Sequence, residues 1–165
     1  MKECVERFRK VEKKLNATPW FAKDGWLVSV HGFPKVKPEF ITFHVFKKHW
    51  FNEDSRGIHI ESFLAIDQKK AKNSYVTIHV LHHAKIPGTK LRRIALAKPF
   101  VDAVYDKVSA WEGYKFRAGK YGTQPFTRVL DGTSPDFESI LELEIGRLCR
   151  QLGPAMDRAI ADVLR

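Results

Sequence analysis

RGIHIESFLAIDQKKAKNSYVTIHVLHH, residues 56–83, decides how this chain folds. Apolar residues recur at every second place through Ile58, Ile60 and Leu64, and again through Val76, Ile78 and Val80. That period is the mark of a half-buried strand. The polar AIDQKKAKNS between the two runs is shorter than the dozen or more residues a parallel crossover needs, so the strands are antiparallel neighbours. WLVSVH (26–31) and FITFHVF (40–46) carry the same period, joined by the short polar GFPKVKPE and KKHWFNEDSR. Four strands therefore follow one another in a meander.

Helical spacing surrounds them. Val5, Phe8, Val11 and Leu15 make an amphipathic stripe over 2–16, which Asn16 and Thr18-Pro19 end. HHAKIPGTKLRR has no period and reads as a loop. Pro99 opens a middle helix whose stripe is Val101, Val104, Tyr105, Val108 and Trp111, up to Gly113. YKFRAGKYGTQPFTRVL reads as one or two short strands around Gly119 and Gly122. Thr133 and Asp136 bracket Pro135 as a capping box for a last helix along Phe137, Ile140, Leu141, Leu148 and Leu152. Gly153-Pro154 is expected to kink or split it, with Met156, Ile160 and Val163 continuing. The expected fold is one α+β domain over residues 1–165. It has a four- to five-stranded, mainly antiparallel sheet, an N-terminal helix, a middle helix and a long kinked C-terminal helix, in the order α-β-β-β-β-α-β-α.

With 44% hydrophobic and 12% aromatic residues, the 165-residue chain is too rich in core formers to be disordered. MKECVERFRK lacks the apolar segment of an export signal, and no run reaches the roughly 18 apolar residues of a membrane span. No membrane partner is expected. Cys4 and Cys149 lie in apolar helical patterns and read as small buried hydrophobes, which suits a reducing, cytoplasmic location. The net charge is +10, concentrated in residues 17–133, where nineteen Lys and Arg face ten Asp and Glu. A field of that sign attracts polyanions, nucleic acid first.

The basic side chains fall into three groups: Lys69, Lys70 and Lys72 in one turn, Lys85, Lys90, Arg92 and Arg93 in the Pro-Gly loop, and Lys115, Arg117, Lys120 and Arg128 interleaved with Tyr114, Phe116, Tyr121 and Phe126. Cations among rings suit phosphates and stacked bases, although strand alternation by itself also yields charges on one side and core rings on the other. The leading expectation is a basic binding protein that engages nucleic acid through its phosphate backbone and needs no cofactor.

Alternation also puts Ser29, His31, Thr42, His44, His59, Glu61, Thr77 and His79 on one sheet face, shared with Phe40, Phe46, Phe63, Tyr75 and Leu81. One face of an antiparallel sheet is commonly left to solvent, and polar residues there need no function. Imidazoles and a carboxylate on adjacent strands also converge well enough to hold a cation. The alternative expectation is thus a metal-dependent hydrolase or nuclease with a divalent ion on His44, His59, Glu61 and His79. A protein-interaction or small-ligand module would use the same aromatic face. His59-Ile60-Glu61 has the H-x-E form of zinc deaminases without their P-C-x-x-C partner. Asp67-Gln68-Lys69 matches a short D-x-K nuclease element but reads as a solvated turn. Serine-hydrolase, zincin and P-loop motifs lack their starting residues.

Overall fold

A computed structural model describes residues 2–33 and 39–165; the core of the GFPKVKPE connection, 34–38, lies outside the described residues. The alternating stretches form β1 (Trp26–Phe33), β2 (Phe40–Lys47), β3 (His59–Ala65) and β4 (Ser74–His79). YKFRAGKYGTQPFTRVL yields two further strands, β5 (Tyr114–Phe116) and β6 (Phe126–Leu130), so the sheet has six strands among the described residues rather than four or five. All neighbours pair antiparallel in the order β1-β2-β3-β4-β6-β5.

Ile41, Phe43, Val45, Ile60, Leu64, Val76 and Ile78 are buried on one face of the sheet. Helix α1 (Lys2–Asn16) covers it with Phe8, Val11 and Leu15, and the Phe8 ring stacks on Phe43 at 5.2 Å. The short α2 (Pro19–Lys23) follows, and α3 (Gln68–Ala71) sits in the β3–β4 connection. Helices α4 (Arg93–Ser109) and α5 (Phe137–Leu164) complete the layer, with Phe100 of α4 against Phe126. Arg7 of α1 donates to both Glu138 oxygens at 2.9 Å, joining the first and last helices.

Three local features differ from their sequence reading. Helix α4 starts at Arg93, ahead of Pro99, because Leu96, Ala97 and Phe100 extend its buried stripe upstream. Pro99 costs the helix the bond to the Ala95 carbonyl, and both residues are exposed, where water replaces it. Helix α5 is not split at Gly153-Pro154 but continues as one helix; Gly153 lies so close to Trp26 that a Cβ would stand 2.8 Å from the indole. No Thr133–Asp136 box forms. Asp131 accepts from the Thr133 N–H at 2.8 Å and Ser134 Oγ accepts from Asp136 N–H at 3.2 Å, a tighter local turn using the same residue types.

The register brings three connections to one end of the sheet. Trp26 pairs with Lys47, His59 with His79 and Thr77 with Thr127, so segments 48–58, 80–92 and 117–125 meet beside His59 and His79. The α3 turn lies at the other end. No helix among the described residues is long and apolar enough to cross a membrane.

Candidate metal centre

One row of register partners crosses the whole sheet on the face turned from the long helices: Ser29, His44, Glu61, Thr77, Thr127 and Lys115. His59 and His79 stand opposite each other in the neighbouring position of β3 and β4. His44, His59, Glu61 and His79, singled out by alternation, are therefore neighbours in space. They are also buried: exposures are 1%, 0%, 7% and 4%. The burial comes from a loop rather than a helix. Phe51 and Ser55 adopt positive φ, Ile58 N–H donates to the Trp50 carbonyl, and His82 N–H donates to Arg56 at 3.0 Å. Gly57 allows the fold-back, since a Cβ there would collide with the Phe51 carbonyl. Asn52, itself buried, is thereby pressed onto His59.

The polar contacts fix the roles of individual atoms. Glu61 Oε1 accepts from Tyr75 Oη at 2.9 Å and from Gln124 Nε2 at 3.2 Å, and Gln124 also donates to Tyr75 Oη. Glu61 Oε2 is left facing His44 Nε2 at 3.4 Å and His59 Nε2 at 3.5 Å. His59 Nδ1 lies 2.8 Å from Asn52 Oδ1, which can only accept, so Nδ1 carries the proton. In the neutral ring Nε2 then presents a lone pair to a carboxylate oxygen. It is buried and has no hydrogen-bond partner among the described residues, as is true of both His44 nitrogens and His79 Nδ1.

The imidazoles stack: His44 on His59 at 3.8 Å, His59 on His79 at 4.9 Å, and His79 on His82 at 4.0 Å. Burial pushes His59 down to about 4 against the opposing pull of Glu61, and pushes His79 lower still. Burial also lowers His82 and His31. Burial pushes the Glu61 carboxyl up, but its close contacts with His44 and His59 outweigh this and hold it below the usual carboxylate range. Burial thus favours the neutral form of His59, His79 and His82, the form of imidazole that ligates metals.

Ligand atoms of His59, Glu61, His79 and His82 all lie within 4.8 Å of one another. The four-residue group contains three of the residues picked out by alternation. His82, which follows β4, takes the fourth place, while His44 sits behind His59 against Glu61. Asn52 and Gln124 lie in connections, where alternation assigns no face; His82 closes the 75–82 run, where alternation gives it to the apolar side, but β4 ends at His79 and the period ends with it.

The basic residues are dispersed. Lys69, Lys70 and Lys72 lie in and after α3, at the far end of the sheet, where Asp67 of the D-x-K element caps α3 by accepting from Lys69 N–H. Lys85, Lys90, Arg92 and Arg93 lie at the opposite end; Lys90 donates to the Arg165 carbonyl, and Arg93 to those of Leu81 and His82. Lys115 is on the histidine face, and Arg117 lines a cleft with His79, His82 and Gln124. Lys120 sits over the rings of Tyr105 and Tyr121. Arg128 is on the helix side, paired with the buried Glu144. Comparison with protein-family models, curated proteins and solved structures finds no match.

Proposed function

We propose that this chain is a divalent-metal-dependent hydrolase, with the ion held by His59, Glu61, His79 and His82. The observation that carries this reading is the buried pair His59 Nε2 and Glu61 Oε2, two electron-pair donors 3.5 Å apart with no proton assigned between them. Such a pair is unfavourable in a low-dielectric interior until a cation bridges it. Imidazole nitrogens with a single carboxylate suit zinc and its first-row neighbours better than magnesium or calcium.

A bound ion would supply Lewis acidity and an acidified water. The chain's own residues supply orientation and proton transfer. Tyr75 and Gln124 occupy Glu61 Oε1 and so turn Oε2 inward; Asn52 sets the tautomer of His59. His44 lines the adjoining pocket with Nε2 held 3.4 Å from Glu61 Oε2, and in this reading it serves as the general base. The test is turnover of 4-nitrophenyl esters and phosphodiesters by zinc-loaded protein. Chelation should abolish it, and His44→Gln should lower kcat about 100-fold with zinc content unchanged. Protein that takes up no divalent metal, or turnover indifferent to chelation, would overturn the reading.

A further inference from the structure

We infer that the pocket beside this centre takes a small aromatic organic anion, its ring against Phe40, Phe63 and Tyr75 and its charge drawn to the ion, Arg56 and Arg117; the inference rests on the metal-dependent reading. The cavity is about 750 Å³, ample for a ligand of this class, and extends from His31, His44 and His79 to Phe40 and Gln124. Its wall is three successive rings. Phe63 meets Phe40 edge-on at 6.1 Å and Tyr75 edge-on at 4.5 Å, and all three are only half-buried. Half-buried rings lining a concavity offer an aromatic guest the offset and edge-to-face contacts they already make with one another.

Charge selects the other end of the guest. Arg56 lines the cavity, and its guanidinium contacts His83 Nε2 at 3.4 Å; Arg117 flanks His79 and His82 from the neighbouring cleft. Neither has a carboxylate partner among the described residues, whereas Arg7 and Arg128 do. Two carboxylates face the cavity in return: Glu61, and Asp54, whose Oδ1 accepts from the Arg56 backbone N–H at 3.0 Å. Imidazoles that ligate a cation do so in the uncharged form, and Arg56 and Arg117 balance Asp54 and Glu61. The charge of the ion is then uncompensated, and a guest with one or two negative oxygens balances it. A carboxylate and a phosphate ester share that chemistry.

Calorimetric titration of zinc-loaded protein with benzoate, phenyl phosphate, benzamide and acetate tests this, with zinc stoichiometry read separately by elemental analysis. Benzoate or phenyl phosphate should bind at least tenfold more tightly than benzamide, which lacks the charge, and than acetate, which lacks the ring; the stronger of the two identifies the acid group. Arg56→Gln with Arg117→Gln should weaken that binding about tenfold and leave zinc stoichiometry unchanged. Protein that holds zinc yet prefers neither anion over benzamide and acetate overturns the inference and leaves the hydrolase reading standing. Protein that takes no zinc overturns that reading and, with it, the attraction of the pocket for an anion.

Discussion

His59 Nδ1 lies 2.8 Å from Asn52 Oδ1, both residues buried, and this one contact leaves Nε2 as the ring's only lone pair. A loop residue thereby sets the chemistry of a strand residue. Asn52→Leu should weaken zinc affinity about 10–100-fold, the usual effect of losing the partner that orients a ligating histidine. Asn52→Asp, which keeps an acceptor at the same place, should retain most of it. Competition against a chromophoric chelator measures both. Equal affinities in all three proteins would contradict the assignment.

Acid should unfold the metal-free protein early. His59 and His79 have folded pKa values depressed below the ordinary 6.5 by burial. Above pH 7 they are neutral in both states and contribute no pH dependence. Between about 6.5 and 4 the unfolded chain takes protons that the folded cluster refuses, so each costs about 1.4 kcal/mol of stability per pH unit. Glu61, held below its ordinary range, adds a loss of the same sign below about 4.5, where only the unfolded carboxyl protonates. The Tm should fall steeply from pH 6.5 to 4.5, and His79→Phe should flatten the fall. A level profile in that window would mean that the histidines are not buried neutral.

The loop over the histidines is anchored at its base. Asp157 of α5 accepts from Lys47 Nζ at 2.7 Å and Trp50 Nε1 at 2.7 Å and contacts His49 Nε2 at 2.8 Å. Asp157→Ala leaves the indole N–H of fully buried Trp50 without its acceptor, at a cost of about 2 kcal/mol. Thermal melting should show a drop of roughly 6 °C. Asp157→Asn, still an acceptor, should lose less.

Among the basic residues, Arg128 belongs to the fold. Its guanidinium meets Glu144, which is 4% exposed and also accepts from Tyr114 Oη at 2.7 Å. Arg128→Ala strips a buried carboxylate of its main cation and should cost roughly 3 kcal/mol. Retention on phosphocellulose should be unaffected by this change and reduced by Lys115→Ala with Arg117→Ala, whose side chains are exposed on the histidine side of the sheet. The reverse pattern would return Arg128 to a phosphate-binding role.

The period-two runs from Trp26 to His82 contain enough to place His44, His59, Glu61 and His79 on one face, because parity along a strand needs no knowledge of its partners. Register needs more: whether His44 stands opposite Glu61 depends on turn lengths, and those include the loop from Lys48 to Ile58, whose path follows from positive φ at Phe51 and Ser55. Burial was illegible for the same reason. An open sheet face reads as solvated until the loop that covers it is known. His82 joins the cluster from just past β4, and α4 begins ahead of Pro99 because an exposed helix turn tolerates a missing hydrogen bond. Alternation carried through 75–82 gives His82 to the apolar side, and breaker rules put Pro99 in a first turn; the fold departs from both.

The position a metal takes up tests the proposed centre most directly. Zinc-soaked crystals measured on both sides of the zinc absorption edge locate the ion by anomalous scattering. The peak should lie about 2.0–2.2 Å from His59 Nε2 and a Glu61 oxygen, with His79 and His82 completing the set. A peak elsewhere, for instance between His49 and Asp157, or no peak at all, would contradict the metal centre and the function proposed from it.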